Sequence, residues 1–165
     1  MQKAEPPRGK WGSVVFFLIA LLIVAADQIS KVWIRSNLAF GESLPATGLL
    51  RLTHIHNTGA AFGLFQGQSF PLTIVSIISI AAILLFAFRF SRHLPFLNKW
   101  TGRLALGLVL GGTIGNLIDR LYLGYVTDFI YIGIWPAFNI ADSAITVGVI
   151  VFACFLLSAV GAKKY

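Results

Sequence analysis

Charged residues are scarce in this chain. Only 12% of its 165 residues are Asp, Glu, Lys or Arg, whereas a soluble domain carries roughly 25%. Hydrophobic residues make up 57% of the chain, and they occur in runs too long for one buried core. The composition excludes an ordinary soluble fold and indicates a chain that folds in a lipid bilayer.

Cysteine is almost absent as well. The single cysteine, Cys154, lies within an apolar run, so an intrachain disulfide, a cysteine-based zinc site and an iron–sulfur cluster are excluded. The chain has 13 Lys and Arg residues against six Asp and Glu, and this excess of positive charge could suggest that it binds nucleic acid. The basic residues, however, flank hydrophobic segments and form no basic face interleaved with aromatics. We therefore expect no nucleic-acid partner.

Four stretches lack charged residues: residues 11–26, 52–88, 104–118 and 143–162. The second is too long for one span of about 20 residues, and a series of glycines ending at Pro71 interrupts its first half. A cleavable signal peptide ending near Ala26 is an alternative for the first stretch, but apolar residues continue at helical spacing through Ile34. The sequence predicts a mainly α membrane protein with transmembrane helices at about 12–35, 70–90, 104–122 and 140–161.

The basic residues predict the orientation of these spans. Nine of the thirteen lie near the two termini or around the link between the second and third spans. By the positive-inside rule, both termini would then lie in the cytoplasm. Four aspartates lie near the opposite, outer face: Asp27, Asp119, Asp128 and Asp142. Ionisable residues at membrane depth are rare and usually have a function.

Two groups of polar residues end the first and third spans. Asp27 and Lys31 are four residues apart, so they either form an ion pair that lets the helix end face water or bind a polar substrate group or partner chain. Asn116, Asp119 and Arg120 share one face after a run of glycines. These three residues either form a water-exposed end to a helix whose glycines serve packing, or they form part of a functional site.

Asn139 and Asp142 open the fourth span. Asn139 is a typical helix cap, but capping does not explain a second polar group three positions on, so we expect a functional role for Asp142. Asp128 is either an ordinary turn carboxylate or the partner of Asp142, towards which its non-helical link could converge. Asp119 is the rival partner. We prefer Asp128, because Arg120 next to Asp119 favours the ionised form of that carboxyl.

A predicted strand holds His54 and His56, whose alternation places both on one face. We expect surface histidines here, and a metal held by only two histidines is the less favoured alternative. The strand leads into a turn from Asn57 to Gly63, which is small enough to let backbone approach a ligand.

No Ser-His-Asp arrangement, Walker loop or His-Glu-x-x-His motif is present. The remaining candidate for a site is the group of aspartates that lie near the outer end of a bundle of apolar helices. Two close carboxylates cannot both ionise easily, so one keeps its proton while the other acts as a base, which is the pattern of aspartyl proteases. A proton-linked transporter using the same aspartates is the alternative, although it would usually have more spans. A non-enzymatic assembly or lipid-binding protein would explain the glycines but not the carboxylates.

Five ordered blocks run almost from end to end of the chain: residues 27–31 (DQISK), 57–62 (NTGAAF), 112–120 (GTIGNLIDR), 126–129 (VTDF) and 138–143 (FNIADS). In these blocks the sequence resembles the lipoprotein signal peptidases, the type II signal peptidases of bacteria. The resemblance implies a single membrane-embedded peptidase domain over residues 1–165. It also implies four transmembrane helices and a small strand-rich cradle on the outer side, at about residues 38–68.

By motif position, the resemblance implies Asp128 and Asp142 as the catalytic pair of an active site without a metal or other cofactor. The implied surrounding shell consists of Asp27, Lys31, Asn57, Asn116, Asp119, Arg120 and Asn139. Two features depart from the family pattern. Thr127 replaces the Val most often seen before the first catalytic Asp, and the link from Asp128 to Asp142 is shorter than usual.

The activity that the resemblance implies is removal of the signal peptide from prolipoproteins that already carry a diacylglyceryl group. The cut would fall just before the lipidated cysteine. The expected partners are this substrate and membrane lipids, and the protein is expected to act as a monomer. It would lie in the bacterial cytoplasmic membrane as a multi-pass protein, with both termini cytoplasmic and the active site near the outer face.

Overall fold

A computed structural model describes residues 10–60, 64–89 and 100–161. Within them, the helices are α1 (Lys10–Asn37), α2 (Ser69–Arg89), α3 (Trp100–Leu123) and α4 (Ile140–Gly161). The strands are β1 (Ser43–Leu44), β2 (Leu50–Asn57), β3 (Val126–Ile132) and β4 (Trp135–Phe138). All four helices are long and apolar enough to cross a membrane. The predicted fold class, four membrane-spanning helices with a small sheet, is confirmed.

Helix α3 is the central helix of the bundle and packs against the other three. Its glycines allow this close packing. A Cβ atom at Gly107 would lie 2.9 Å from the carbonyl oxygen of Phe16, and one at Gly111 would lie 2.7 Å from that of Ala20. A Cβ atom at Gly112 would collide with the carbonyl oxygen of Ala141 in α4. The glycine run predicted as a packing stripe therefore contacts α1 on one side and α4 on the other.

The four strands form one antiparallel sheet in the order β1-β2-β3-β4. Strands β1 and β2 come from the link between α1 and α2, whereas β3 and β4 come from the link between α3 and α4. In the pairing of β2 with β3, Ile55 lies opposite Asp128 and Asn57 lies opposite Val126. The second link thus supplies half of the sheet.

The sheet is attached to the bundle at the end of α1. Ile34 and Leu38 of α1 form a buried cluster with Phe129 of β3. A turn at Gly124, whose φ of 78° suits glycine, leads directly from α3 into β3. Asp128 is therefore carried to the point where the ends of three helices meet the sheet.

Candidate active site

A cluster of polar side chains is buried where α1, α3 and α4 meet β3. Its buried members are Asp27, Lys31, Asn116, Asp119, Thr127, Asp128 and Asn139. Asp142 lies beside them and is half-buried. Buried charges are stable only when they are paired and hydrogen-bonded, so the partners of each group define what the cluster can do.

Asn139 caps α4, as the sequence predicts. The backbone N–H of Asp142 donates to Oδ1 of Asn139 at 2.9 Å. In return, the backbone N–H of Asn139 donates to Oδ2 of Asp142 at 3.3 Å. This reciprocal pattern is a capping box with Asp in the place of the usual Glu or Gln. It fixes the carboxyl group of Asp142 at the start of the helix.

The same Asn139 side chain holds the second carboxyl group. Its Nδ2 atom donates to Oδ1 of Asp128 at 2.8 Å. Asn57 donates to the other oxygen of Asp128 at 2.9 Å, and Asn116 donates to Oδ1 of Asp142 at 2.8 Å. Three asparagines, one in β2, one in α3 and one between β4 and α4, therefore orient the two carboxyl groups, and Asn139 contacts both residues.

The environment of Asp128 favours its protonated form. Burial raises the pKa of Asp128 from its ordinary 3.8 to about 7, and the negative charge of Asp142 adds to that increase. The hydrogen bonds from Asn57 and Asn139 act in the opposite direction but do not cancel it. At neutral pH, the protonated and the ionised forms of Asp128 are therefore both populated.

Lys31 is fully buried. Its Nζ atom lies 2.8 Å from Asp27 and 3.4 Å from Asp119, and it donates to Oδ1 of Asn116 at 2.9 Å. The predicted Asp27–Lys31 pair is present, but the interpretation that it lets the helix end face water is wrong. The pair joins α1 to α3 inside the protein.

Asp27 also reaches α4. Its Oδ1 atom accepts the backbone N–H of Ala141 at 3.0 Å, which is one of the free donors at the start of that helix. A Cβ atom at Gly115 would lie 2.6 Å from Oδ2 of Asp27, so a larger residue there would displace the carboxylate. Asp27 therefore positions the helix that bears Asp142.

Asp119 holds the start of β3. It accepts the backbone N–H of Thr127 at 2.8 Å, and the cations that contact it are Lys31 and Arg35, at 3.4 and 3.5 Å. The charge of Arg120 also acts on Asp119, as the sequence predicts, while its guanidinium donates to the carbonyl oxygen of Gly59 at 3.1 Å. Asp119 therefore joins α1 and α3 to the start of β3.

The two carboxyl groups of Asp128 and Asp142 line one cavity of about 330 Å³. Asn57, Asn116 and Arg120 line it too, whereas the β4 segment from Trp135 to Phe138 and part of α4 make its wall mostly apolar. The complete lining is Asn57, Ala60, Asn116, Arg120, Val126, Asp128, Trp135, Pro136, Ala137, Phe138, Asp142, Ser143, Thr146 and Val147. Within the part of the chain that the structure describes, the Nε atom of Arg120 is buried without a hydrogen-bond partner.

Sequence reasoning missed three residues of the cluster. Gln28 donates to the carbonyl oxygen of Gly115 at 3.0 Å and to Asp119 at 3.3 Å. Arg35 donates to Oγ1 of Thr127 at 2.9 Å. Arg35 follows Lys31 by four residues and so shares its helix face, a signal that could have identified it. The role of Thr127 depends on long-range packing and carries no local signal.

The histidines of β2 also differ from expectation. His54 is only 7% exposed, so the expectation of surface histidines is wrong for this residue. Ala61, Phe62 and Gly63, which end the predicted turn, lie outside the described residues, as do most of the basic residues that predict the orientation.

The arrangement combines two carboxyl groups, a proton held near neutral pH, and an apolar cavity next to membrane-spanning helices. Such a pair can activate a water molecule with one carboxylate and protonate a carbonyl oxygen with the other carboxyl group. The geometry is therefore suited to hydrolysis of an amide or ester in an apolar substrate.

Comparison with known proteins agrees with hydrolysis. The model of the family described as signal peptidase (SPase) II matches residues 19–158. A lipoprotein signal peptidase of Dehalococcoides mccartyi is 50% identical over 137 residues, covering 83% of this chain and 85% of that protein. One of Moorella thermoacetica is 48% identical over 147 residues, covering 88% and 95%. A solved bacterial membrane enzyme matches with a TM-score of 0.83 at 33% identity, covering 91% of this chain and 92% of that one.

Proposed function

The chain belongs to the signal peptidase II family, and from this premise we propose that it is an aspartic endopeptidase that cuts diacylglyceryl-modified prolipoproteins just before the lipidated cysteine. It is a multi-pass bacterial membrane protease whose family removes signal peptides from prolipoproteins. Membership of a peptidase family favours this activity over the proton-linked transporter that the sequence left open.

One observation carries the proposal. The side chain of Asn139 donates to Asp128 and accepts the N–H of Asp142, so a single residue sets the two carboxyl groups in the same cavity. Asp119, the rival on sequence spacing, is engaged with Lys31, Arg35 and the backbone of Thr127. We therefore assign catalysis to Asp128 and Asp142 and a positioning role to Asp119.

The proposed roles of the two acids differ. Asp142 lies in the first turn of α4, where the helix dipole favours negative charge, so it is the base. Its carboxylate takes a proton from water as the water oxygen attacks the scissile carbonyl carbon. Asp128, which holds a proton near neutral pH, gives that proton to the carbonyl oxygen, and a neutral gem-diol results.

Collapse of the gem-diol completes the reaction. Asp142 returns its proton to the amide nitrogen of the lipidated cysteine, the C–N bond breaks, and Asp128 regains a proton from one gem-diol hydroxyl. Both carboxyl groups end in their starting protonation states. One water is consumed for each peptide bond that is cut.

Arg120 is proposed to bind the substrate backbone. Arg120 lines the cavity together with both carboxyl groups, and its guanidinium would donate to a peptide carbonyl next to the scissile bond. Asn57 and Asn116 keep their donors on the carboxyl groups and so act as positioning residues.

The apolar parts of the cavity are proposed to take the lipid and signal peptide. The wall formed by Trp135, Phe138 and Val147 continues onto membrane-spanning α4, so acyl chains could enter sideways from the bilayer. The proposed orientation puts this end at the outer face and both termini in the cytoplasm, and the proposed working unit is a monomer.

The proposal is tested with purified protein in detergent and two synthetic prolipoprotein substrates that differ only in the diacylglyceryl group. We expect cleavage of the lipidated substrate, with mass spectrometry placing the cut directly before the modified cysteine. A chelator should leave the rate unchanged. Cleavage at another bond, or equal cleavage of the unlipidated substrate, would contradict the proposed specificity.

A further inference from the structure

A pair of histidines lies on the face of the sheet that points away from the two aspartates. In the β2–β3 pairing, His56 lies opposite Thr127 and Ile55 lies opposite Asp128. Directly opposed residues share a face and successive residues alternate between faces. His56 is thus on the reverse side of the sheet from Asp128. The rings of His54 and His56 are 5.0 Å apart between centroids, so both histidines lie on that reverse side.

We propose that His54 and His56 form a chelating site for a divalent transition-metal ion of the Cu²⁺ or Zn²⁺ class. The Nε2 atoms of the two rings lie 3.2 Å apart. Zinc–nitrogen bonds of about 2.0–2.1 Å at a tetrahedral angle place the two ligand nitrogens about 3.3–3.4 Å apart. The spacing of the two nitrogens thus matches that of a two-histidine chelate, and the ion would replace the proton of the ring-to-ring hydrogen bond that now joins them.

The hydrogen bonds of His54 prepare it as a ligand. Its Nδ1 atom lies 2.9 Å from the carbonyl oxygen of Leu38. A carbonyl oxygen only accepts, so the proton is on Nδ1 and the Nε2 lone pair faces His56. A ring nitrogen fixed by a backbone carbonyl while the other nitrogen binds the ion is the usual arrangement of metal-binding histidines.

The surroundings hold the second ring in place as well. His56 stacks on Tyr125 with centroids 3.7 Å apart, and Phe40 lies at 4.5 Å. Both ligands are therefore preorganised, and His56 is partly exposed, so an ion can reach it from water. Imidazole nitrogens of this kind select Cu²⁺ and Zn²⁺ over the hard cations Mg²⁺ and Ca²⁺.

One charge opposes the ion. The guanidinium of Arg35 acts on His56 electrostatically, but it is paired with Asp119 at 3.5 Å, which offsets part of its charge. Among the described residues, no group of three or more His, Cys, Asp or Glu side chains could hold a metal together. The protein thus supplies two nitrogen ligands, and water would supply the others.

The test is Cu²⁺ titration of the full-length protein in detergent, followed by electron paramagnetic resonance and calorimetry. We expect one Cu²⁺ per chain with hyperfine coupling to imidazole nitrogen, and displacement by Zn²⁺. His56→Phe keeps a ring for stacking on Tyr125 but removes the ligand. Both His56→Phe and His54→Gln should weaken Cu²⁺ binding at least tenfold.

Two variants serve as controls, because the chain has one other histidine and one cysteine. His93→Asn and Cys154→Ser should bind Cu²⁺ like the wild type. Thermal unfolding in detergent without added metal checks that each variant is folded. The proposal is overturned if the wild type gives no imidazole signature at one equivalent of Cu²⁺, or if a folded His54→Gln or His56→Phe variant binds Cu²⁺ as tightly as the wild type.

Discussion

The protonation of Asp128 determines whether the two carboxyl groups can divide the work of acid and base. Burial and the charge of Asp142 raise its pKa to about 7, so the proton is present in slightly acidic and neutral solution and lost in alkaline solution. An ordinary Asp, with a pKa of 3.8, would have lost it long before neutrality. Its place on a buried strand thus lets an aspartate act as a general acid.

The pH dependence of cleavage should report this proton. We expect kcat/KM to fall above about pH 7, by roughly tenfold per pH unit, because deprotonated Asp128 cannot protonate the carbonyl oxygen. Rates measured from pH 5 to 9 on lipidated substrate check this. An alkaline limb near pH 4, or none up to pH 9, would be incompatible with Asp128 as the acid.

The same proton links pH to stability. Between pH 3.8 and 7, folded Asp128 binds a proton that the unfolded chain releases, so the free energy of unfolding falls as pH rises through this window. The Tm of the wild type should therefore decrease from pH 5 to pH 8. Asp128→Asn should show a smaller decrease, since the amide does not titrate.

Thr127 is a second residue whose role can be isolated. Its Oγ1 atom accepts a hydrogen bond from Arg35 at 2.9 Å, and its N–H is held separately by Asp119. Thr127→Val keeps the shape and removes only the hydroxyl, so we expect a loss of about 1 kcal/mol in stability. Activity should stay within a few-fold, because the backbone contacts remain.

Thermal unfolding of Thr127→Val checks this expectation. Thr113→Val is the matched control, since its hydroxyl donates within α3 to Val109 and not to another element. A loss of activity by orders of magnitude in Thr127→Val would assign the hydroxyl a role in catalysis itself.

At the residue scale, the sequence predicted which polar groups gather but not how deeply they are buried. Asp27, Asn116 and Asn139 stood out because polar side chains in apolar helices need partners. The full burial of Lys31 and the near burial of His54 follow from tertiary packing, which local spacing does not encode. Thr127 was noticed only as a departure from a motif, and its bond to Arg35 joins residues 92 positions apart.

Among the elements, α1 is joined to α3 by a buried charge as well as by apolar packing. Lys31 contacts carboxylates on α1 and α3 and an amide on α3. Removing a partner from such a cluster leaves buried charge uncompensated, which typically costs about 3–5 kcal/mol. The attachment of α1 also positions Asp27 at the start of α4.

Lys31→Met should therefore destabilise the protein by several kcal/mol and reduce cleavage with it. The double variant Lys31→Met with Asp27→Asn removes one of the two carboxylates that Lys31→Met leaves uncompensated, and it should recover part of the stability. Thermal unfolding in detergent measures both. Equal stability of the wild type and Lys31→Met would mean that the buried charge contributes little to the fold.

The helices could be predicted from the sequence because an apolar run of about 20 residues has few alternatives in a bilayer. Strands β3 and β4 carried no comparable signal. Strand β3 pairs with β2, which is about 70 residues away in the chain, and β4 pairs with β3. A short link between two spans can be a turn as readily as a hairpin. The sequence therefore predicted that Asp128 lies outside the helices, in the link before the fourth span, but not that it lies on a strand.

For the molecule as a whole, the exposed apolar surface follows from a lipid environment. Large apolar side chains such as Leu21, Ile78 and Leu157 are more than half exposed on the outside of the helices. This exposure would be costly in water and is favourable in hydrocarbon. The polar cluster, in contrast, lies at the end of the bundle that carries the sheet.

The orientation of that end is open to direct measurement. In a Cys154→Ser background, a cysteine at position 44, which is exposed on β1, should react with an impermeant maleimide added to intact cells. A cysteine at position 97, in the link between α2 and α3, should react only after permeabilisation. The reverse pattern would overturn the orientation that the basic residues predict.

The central claim is that Asp128 and Asp142 share the chemistry while Asp119 holds the structure. Single-turnover cleavage of lipidated prolipoprotein by Asp128→Asn, Asp142→Asn and Asp119→Asn tests it most directly, since Asn keeps the size of Asp but cannot act as base or proton donor. Substrate binding and thermal unfolding verify that each variant is folded.

We expect no turnover from Asp128→Asn or Asp142→Asn, although both should fold and bind substrate. Asp119→Asn should lose stability, because it weakens the contacts with Lys31 and Arg35, and its folded fraction should still cleave. The account is contradicted if folded Asp128→Asn cleaves near the wild-type rate while equally folded Asp119→Asn is inactive.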